Sequence, residues 1–136
     1  MKKFLLILLA CLILLTTTAC DERVKPSILF NSAPITAENA LNTNNVFSPG
    51  QKIYYLVILP KPVKSRFIYI QIIKKEGANE RLGYKMFYGN TVRLKDEQMY
   101  YYDDYIVIRE RGTYVMKIYS KDEPTKVYTM AQFWVK

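Results

Sequence analysis

The chain has 136 residues, with 20 Lys+Arg against 12 Asp+Glu, two cysteines and no histidine. That length suffices for one hydrophobic core, and the missing histidine excludes Ser-His and Cys-His nucleophilic pairs, histidine bases and histidine-containing zinc sites. A net charge of +8 usually points to nucleic acid, but the start of the chain argues against that partner.

Lys2 and Lys3 form a positive leader, followed by an apolar run of twelve residues, Phe4–Leu15. The run lies within the roughly 7–15 residues of a signal-peptide core and below the roughly 20 that a membrane-spanning helix needs. Small residues follow, ending in Thr18-Ala19-Cys20. This layout resembles the lipobox of bacterial lipoproteins, with Thr17 where that family usually carries Leu, Val or Ile. The resemblance implies that residues 1–19 are a signal peptide, that Cys20 receives a thioether-linked diacylglycerol, and that the protein is held on the extracytoplasmic side of a bacterial membrane. In enteric lipoproteins an Asp after the cysteine, here Asp21, favours inner-membrane retention; the sequence leaves inner and outer membrane open. Exported, the chain meets no nucleic acid. Anionic headgroups, another envelope protein or a glycan are the partners to expect.

Loss of residues 1–19 leaves 117 residues with 18 Lys+Arg and 12 Asp+Glu, a charge of +6. Cys11 leaves with the signal and Cys20 carries lipid, so the domain has no disulfide and depends on its core. Residues 20–45 read as a lipidated tether with an irregular edge strand near Ser27–Phe30 and a short helical turn near Thr36–Asn42. From Cys20 to Ser27 the chain spans at most about 25 Å.

Residues 46–136 read as a β domain. Twelve Tyr, six Phe and abundant Ile and Val suit strands. Ser48-Pro49-Gly50 marks a turn. Lys52–Leu59, apolar on both faces, reads as a central strand closed by Pro60 and Pro62. In Phe67–Lys74, Ile68, Ile70 and Ile72 alternate with Tyr69 and Gln71. Glu76–Arg81 is a loop, Leu82–Tyr88 a weaker strand, Gly89-Asn90 a two-residue hairpin turn and Thr91–Leu94 its return. Met99–Tyr105, with three consecutive tyrosines and two aspartates, reads as a loop leading into a strand at Asp104–Arg109. Thr113–Tyr119 and Val127–Val135 complete the set.

About seven short strands divided by turns predict an all-β, antiparallel, immunoglobulin-like β-sandwich after the N-terminal anchor segment. Gly112-Thr113-Tyr114 resembles the tyrosine corner of immunoglobulin-like and fibronectin-type domains, in which a Tyr hydroxyl bonds back to the preceding crossover. The cysteine pair of true immunoglobulin domains is missing, and Trp134 is in the last strand. Transthyretin-like and lipocalin-like β folds fit the same pattern.

No catalytic set emerges. Asp103 and Asp104 are neighbours, so in a strand they face opposite ways, unlike the paired carboxyls of glycoside hydrolysis or the alternating oxygens of a calcium loop. Lys64-Ser65 lacks the constrained turn of a serine–lysine dyad. The charges of Lys61, Lys64 and Arg66 serve either solubility and edge protection or contact with anionic lipid or glycan. No metal, cofactor or enzyme activity is expected. If Ala131, Phe133 and Val135 point inward with Tyr114, Met116 and Ile118, then Tyr69, Gln71, Lys117, Tyr119, Tyr128, Gln132 and Trp134 share an outer face and form a candidate binding surface. The resulting expectation is a lipid-anchored envelope protein whose sandwich is a non-catalytic binding or structural module. Alternatives are a small lipoprotein subunit of an envelope secretion or transport complex, docked by strand addition, and, less favoured, a glycan-acting enzyme.

Overall fold

A computed structural model describes residues 24–76 and 83–136. The expected signal segment, Cys20, and most of the expected loop at 76–81 with Leu82 lie outside the described residues. Eight strands are present among those described: β1 (Ser27–Asn31), β2 (Val46–Phe47), β3 (Lys52–Ile58), β4 (Phe67–Lys75), β5 (Tyr84–Arg93), β6 (Tyr101–Val107), β7 (Gly112–Ser120) and β8 (Val127–Val135). They form two sheets, β1-β3-β6 and β2-β8-β7-β4-β5. All pairings are antiparallel except β2 with β8, which makes the larger sheet mixed.

The strands form where apolar residues alternate. Ile53, Tyr55 and Val57 of β3, Ile68, Ile70 and Ile72 of β4, and Tyr114, Met116 and Ile118 of β7 turn into one core and are almost fully buried. Burying one such side chain contributes roughly 1.5–3 kcal/mol. Phe133 of β8 joins the sheets. Its ring stacks on Tyr114 at 5.5 Å, meets Phe30 of β1 at 4.9 Å and takes Phe47 of β2 edge-on at 6.4 Å.

This is an immunoglobulin-like arrangement. With β1, β3 and β6 as strands A, B and E, and β4, β7 and β8 as C, F and G, the described strands follow that layout without its strand D, with β5 added beside β4 and β2 beside β8. The tyrosine corner is formed. The Tyr114 hydroxyl donates to the Glu110 carbonyl at 2.7 Å, across the crossover from β6 to β7. The Glu110 carboxylate meanwhile pairs with Lys74, which holds it below the usual carboxylate range. Two residues after Tyr114, where an immunoglobulin domain has its second cysteine, stands the buried Met116.

Several sequence expectations need correction. β1 is a regular five-residue strand, antiparallel to β3, and its Phe30 is in the core, so the sandwich draws on the segment before residue 46. Gly89-Asn90 is no hairpin turn, because β5 runs unbroken from Tyr84 to Arg93 beside β4. Gly89 serves a close approach instead. The Tyr69 side chain lies across it, and a Cβ there would collide with the phenol oxygen. The Tyr-Asp segment is not a loop: Tyr101–Tyr105 lie within β6.

Tyr114→Phe should lower unfolding free energy by about 1–2 kcal/mol, the cost of a partly buried carbonyl left without its donor, and Phe133→Ala by about 3–5 kcal/mol. Urea unfolding followed by circular dichroism measures both, and the wild-type midpoint should not change with reductant.

Candidate functional site

The candidate surface is the outer face of the five-stranded sheet. β4, β7 and β8 are adjacent, so their outward residues fall into rows, extended by β5. From β8 to β5 these are Val127-Tyr119-Tyr69-Thr91, Met130-Lys117-Gln71-Gly89, Gln132-Val115-Ile73-Met86 and Trp134-Thr113-Lys75-Tyr84. Of the seven residues expected to share this face, Tyr69, Gln71, Lys117, Tyr119, Gln132 and Trp134 do.

Tyr128 does not. A register shift between Ile118 and Tyr119 leaves Tyr128 as the extra residue of a β-bulge in β8, which reverses the phase of the strand locally. Its ring packs against the core, and its hydroxyl reaches toward the Lys61 carbonyl at 3.5 Å. Burial pushes that phenol above its usual range. No turn residue in the sequence marks this bulge.

The outer face is held by its own side chains. Tyr69 and Tyr119 lie 6.1 Å apart with rings tilted by 43°. The Tyr119 hydroxyl donates to Gln71 Oε1 at 3.3 Å, Gln71 Nε2 lies 3.4 Å from Met86 Sδ, and Lys75 Nζ donates to Gln132 Oε1 at 2.6 Å. Between them is a shallow hollow of about 400 Å³, lined by Ile73, Lys75, Val115, Lys117, Met130, Ala131 and Gln132. Ile73 and Val115 are only 8% and 9% exposed although they face away from the core. Sequence reasoning missed this floor, yet the signal was there: Ile73 and Val115 occupy the phase of Gln71 and Lys117. A second hollow of about 270 Å³ is bounded by Tyr69, Thr91, Tyr119 and Pro124.

The four rows hold two lysines and no carboxylate. Aromatic rings, amides and ammonium groups over an apolar floor can hold a ligand by stacking and hydrogen bonds.

The other conspicuous residues fall elsewhere. Asp103 and Asp104 pair with Leu56 and Tyr55 respectively, so they project to opposite faces of β6. No group of three or more His, Cys, Asp or Glu gathers among the described residues. Asp104 accepts from the Tyr102 hydroxyl at 3.1 Å; burial, then the Asp104 charge, pushes the Tyr102 phenol up to about 12. The basic loop is partly neutralised. Arg66 pairs with Asp96 at 3.0 Å, and Asp122 accepts from the backbone N–H groups of Lys64 and Ser65 at 2.7 and 2.8 Å.

No family model matches the chain, and no curated protein matches its sequence.

Asp122 is held below the usual carboxylate range, first by its bonds to Ser65. A lowered folded-state pKa gives stability above the unfolded value that is lost as pH falls through the folded one. Asp122→Ala should therefore melt lower than wild type near neutrality, and the gap should narrow as pH falls from about 5 to about 3. Tyr128→Ala should cost about 1–3 kcal/mol and Trp134→Ala less than about 1 kcal/mol, measured by thermal melts of both variants.

Proposed function

We propose that this is a lipid-anchored, extracytoplasmic protein of a bacterial envelope whose β-sandwich is a non-catalytic binding module, with the outer face of the five-stranded sheet as its contact surface. One observation carries the surface assignment: a sheet face floored by Ile73 and Val115, edged by Tyr69, Tyr119 and Trp134, bearing Lys75 and Lys117 and no acid. A solvated sheet face ordinarily alternates to polar residues. An apolar floor under tyrosines, a tryptophan and amides suits a partner that offers carbon surface with hydroxyl, carbonyl or anionic groups. An envelope protein or a glycan chain meets that description.

The anchor is supported by Lys2-Lys3, the apolar run Phe4–Leu15 and Thr18-Ala19-Cys20. The tether from Cys20 to β1 is short enough to keep the sandwich within a few nanometres of the bilayer. In this reading the domain works at fixed height, and its partner is confined to the same membrane or to the polymer layer beside it.

Two measurements test the two halves separately. Cys20→Ala should abolish incorporation of a labelled lipid precursor and release the protein from the membrane fraction; unchanged retention and mass would place the anchor elsewhere. Trp134→Ala should weaken partner capture by about 1–3 kcal/mol, read as crosslinked yield in intact cells, with melting nearly unchanged. Full capture by a normally folded Trp134→Ala protein would remove this face from consideration.

A further inference from the structure

The smaller sheet ends in an unpaired strand. In the constant-type immunoglobulin layout a fourth strand lies beside strand E, but here, among the described residues, β6 has β3 on one side and no strand on the other. The link from β5 to β6 supplies only a single 3-10 turn at Asp96–Gln98. On the opposite side of the sandwich the gap is bridged: β1 lies along β8, and Thr129 Oγ1 donates to the Pro26 carbonyl at 3.1 Å.

The groups on the free edge can be named. The Tyr100 and Ile108 carbonyls accept from Leu59 and Gly50 on the β3 side. Because an antiparallel strand turns alternate residues to alternate neighbours, Tyr101, Asp103, Tyr105 and Val107 direct their N–H and C=O outward. The Tyr105 N–H is met by Asp104 Oδ1 at 2.8 Å, while Asp104 Oδ2 takes the Tyr102 hydroxyl. Asp104 is in phase with Tyr102 and Ile106, toward the other sheet. The adjoining gap between the sheets is a cleft of about 250 Å³ walled by Ile72, Phe87, Tyr88 and Ile106 among others, and Phe87 and Tyr88 are each 38% exposed.

We propose that the free edge of β6 accepts an extended segment of another polypeptide as a fourth strand, and that Asp104 selects a segment carrying Lys or Arg opposite it. An inward-phase charge on an edge strand deters indiscriminate pairing. A second copy joining edge to edge would bring its own Asp103-Asp104 beside this pair, and like charges across a ladder are unfavourable. A cation opposite Asp104 reverses that sign. The carboxylate turns to the cation, the Tyr105 N–H passes to an incoming carbonyl, and an apolar residue two positions along covers Ile106 and Phe87. Main-chain bonds supply affinity and the charge supplies selection. This edge is separate from the outer face of the larger sheet and does not rest on the function proposed for that face.

The test appends strands to the full chain. After Lys136, a flexible Gly/Ser linker of about 15 residues carries a strand of about nine residues that alternates Val with Thr, its single central Val replaced by Lys in one version and by Glu in the other. Tethering gives an effective concentration near the millimolar range. Amide hydrogen exchange at Tyr101, Asp103, Tyr105 and Val107 should slow about tenfold or more with the Lys strand and hardly at all with the Glu strand. Asp104→Lys should exchange these preferences, while unchanged protection of β7 and β8 verifies the fold. Equal protection by both strands, protection by neither, or a preference that survives Asp104→Lys overturns the proposal. So does protection of the edge in the unfused chain accompanied by dimer formation, which would make a second copy the occupant.

Discussion

The sandwich depends on the way Tyr114 is held. Its ring is fully buried, stacked on Phe133 and met edge-on by Phe87, while its hydroxyl is spent on the Glu110 carbonyl. A phenol can lie this deep only because its one strong polar group has a partner. That bond ties the chain as it leaves the smaller sheet to the middle of the larger one. With the crossover fixed, β7 enters in a single phase and its neighbours β4 and β8 follow by register. In a domain without a disulfide, this tie and the aromatic cluster around Phe133 take over the cross-linking between sheets.

The same register creates the outer face. Once Tyr114, Met116 and Ile118 are inward, Val115, Lys117 and Tyr119 must face outward, and their partners on β4 and β8 follow. The larger sheet therefore carries apolar side chains, Ile73 and Val115 among them, on its outer side as well. Ile73 and Val115 are nearly buried although they face outward; the hollow they floor is also lined by Lys75, Lys117, Met130 and Gln132, and Lys75 is bonded to Gln132. That surface hydrogen bond is worth little net in water. A partner there gains area without disturbing the core.

Much of this was legible in the sequence, for a specific reason. Where strict alternation coincides with a chemical contrast, as in Ile68-Tyr69-Ile70-Gln71-Ile72, phase can be read without a structure. Gly112-Thr113-Tyr114 suggested the corner, although a Tyr entering a strand after a Gly reads equally as an ordinary core residue; the bond to the Glu110 carbonyl distinguishes the two. Legibility ended where one residue answered to a distant neighbour. Gly89 looks like a turn because glycine before asparagine usually is one; its requirement comes from Tyr69 on the adjacent strand. The Tyr-Asp segment looks like a loop because it is polar, yet β3 beside it supplies the apolar partner that makes it a strand.

The two bulges show the same limit and also give it a purpose. Each inserts one aromatic residue: Phe87 in β5, at the shift between Ile72 and Ile73, and Tyr128 in β8, at the shift between Ile118 and Tyr119. Both turn inward at positions whose parity assigns them to the outer face. Phe87 closes the core over Tyr114, and Tyr128 closes it near the Lys61 carbonyl. A twisted sheet over a smaller one leaves its corners uncovered, and an extra residue adds local twist together with a side chain to fill the space. The misplacement of Tyr128 thus follows from the geometry of covering three strands with five. The narrower sheet, lacking that cover along β6, is where the sandwich stays open.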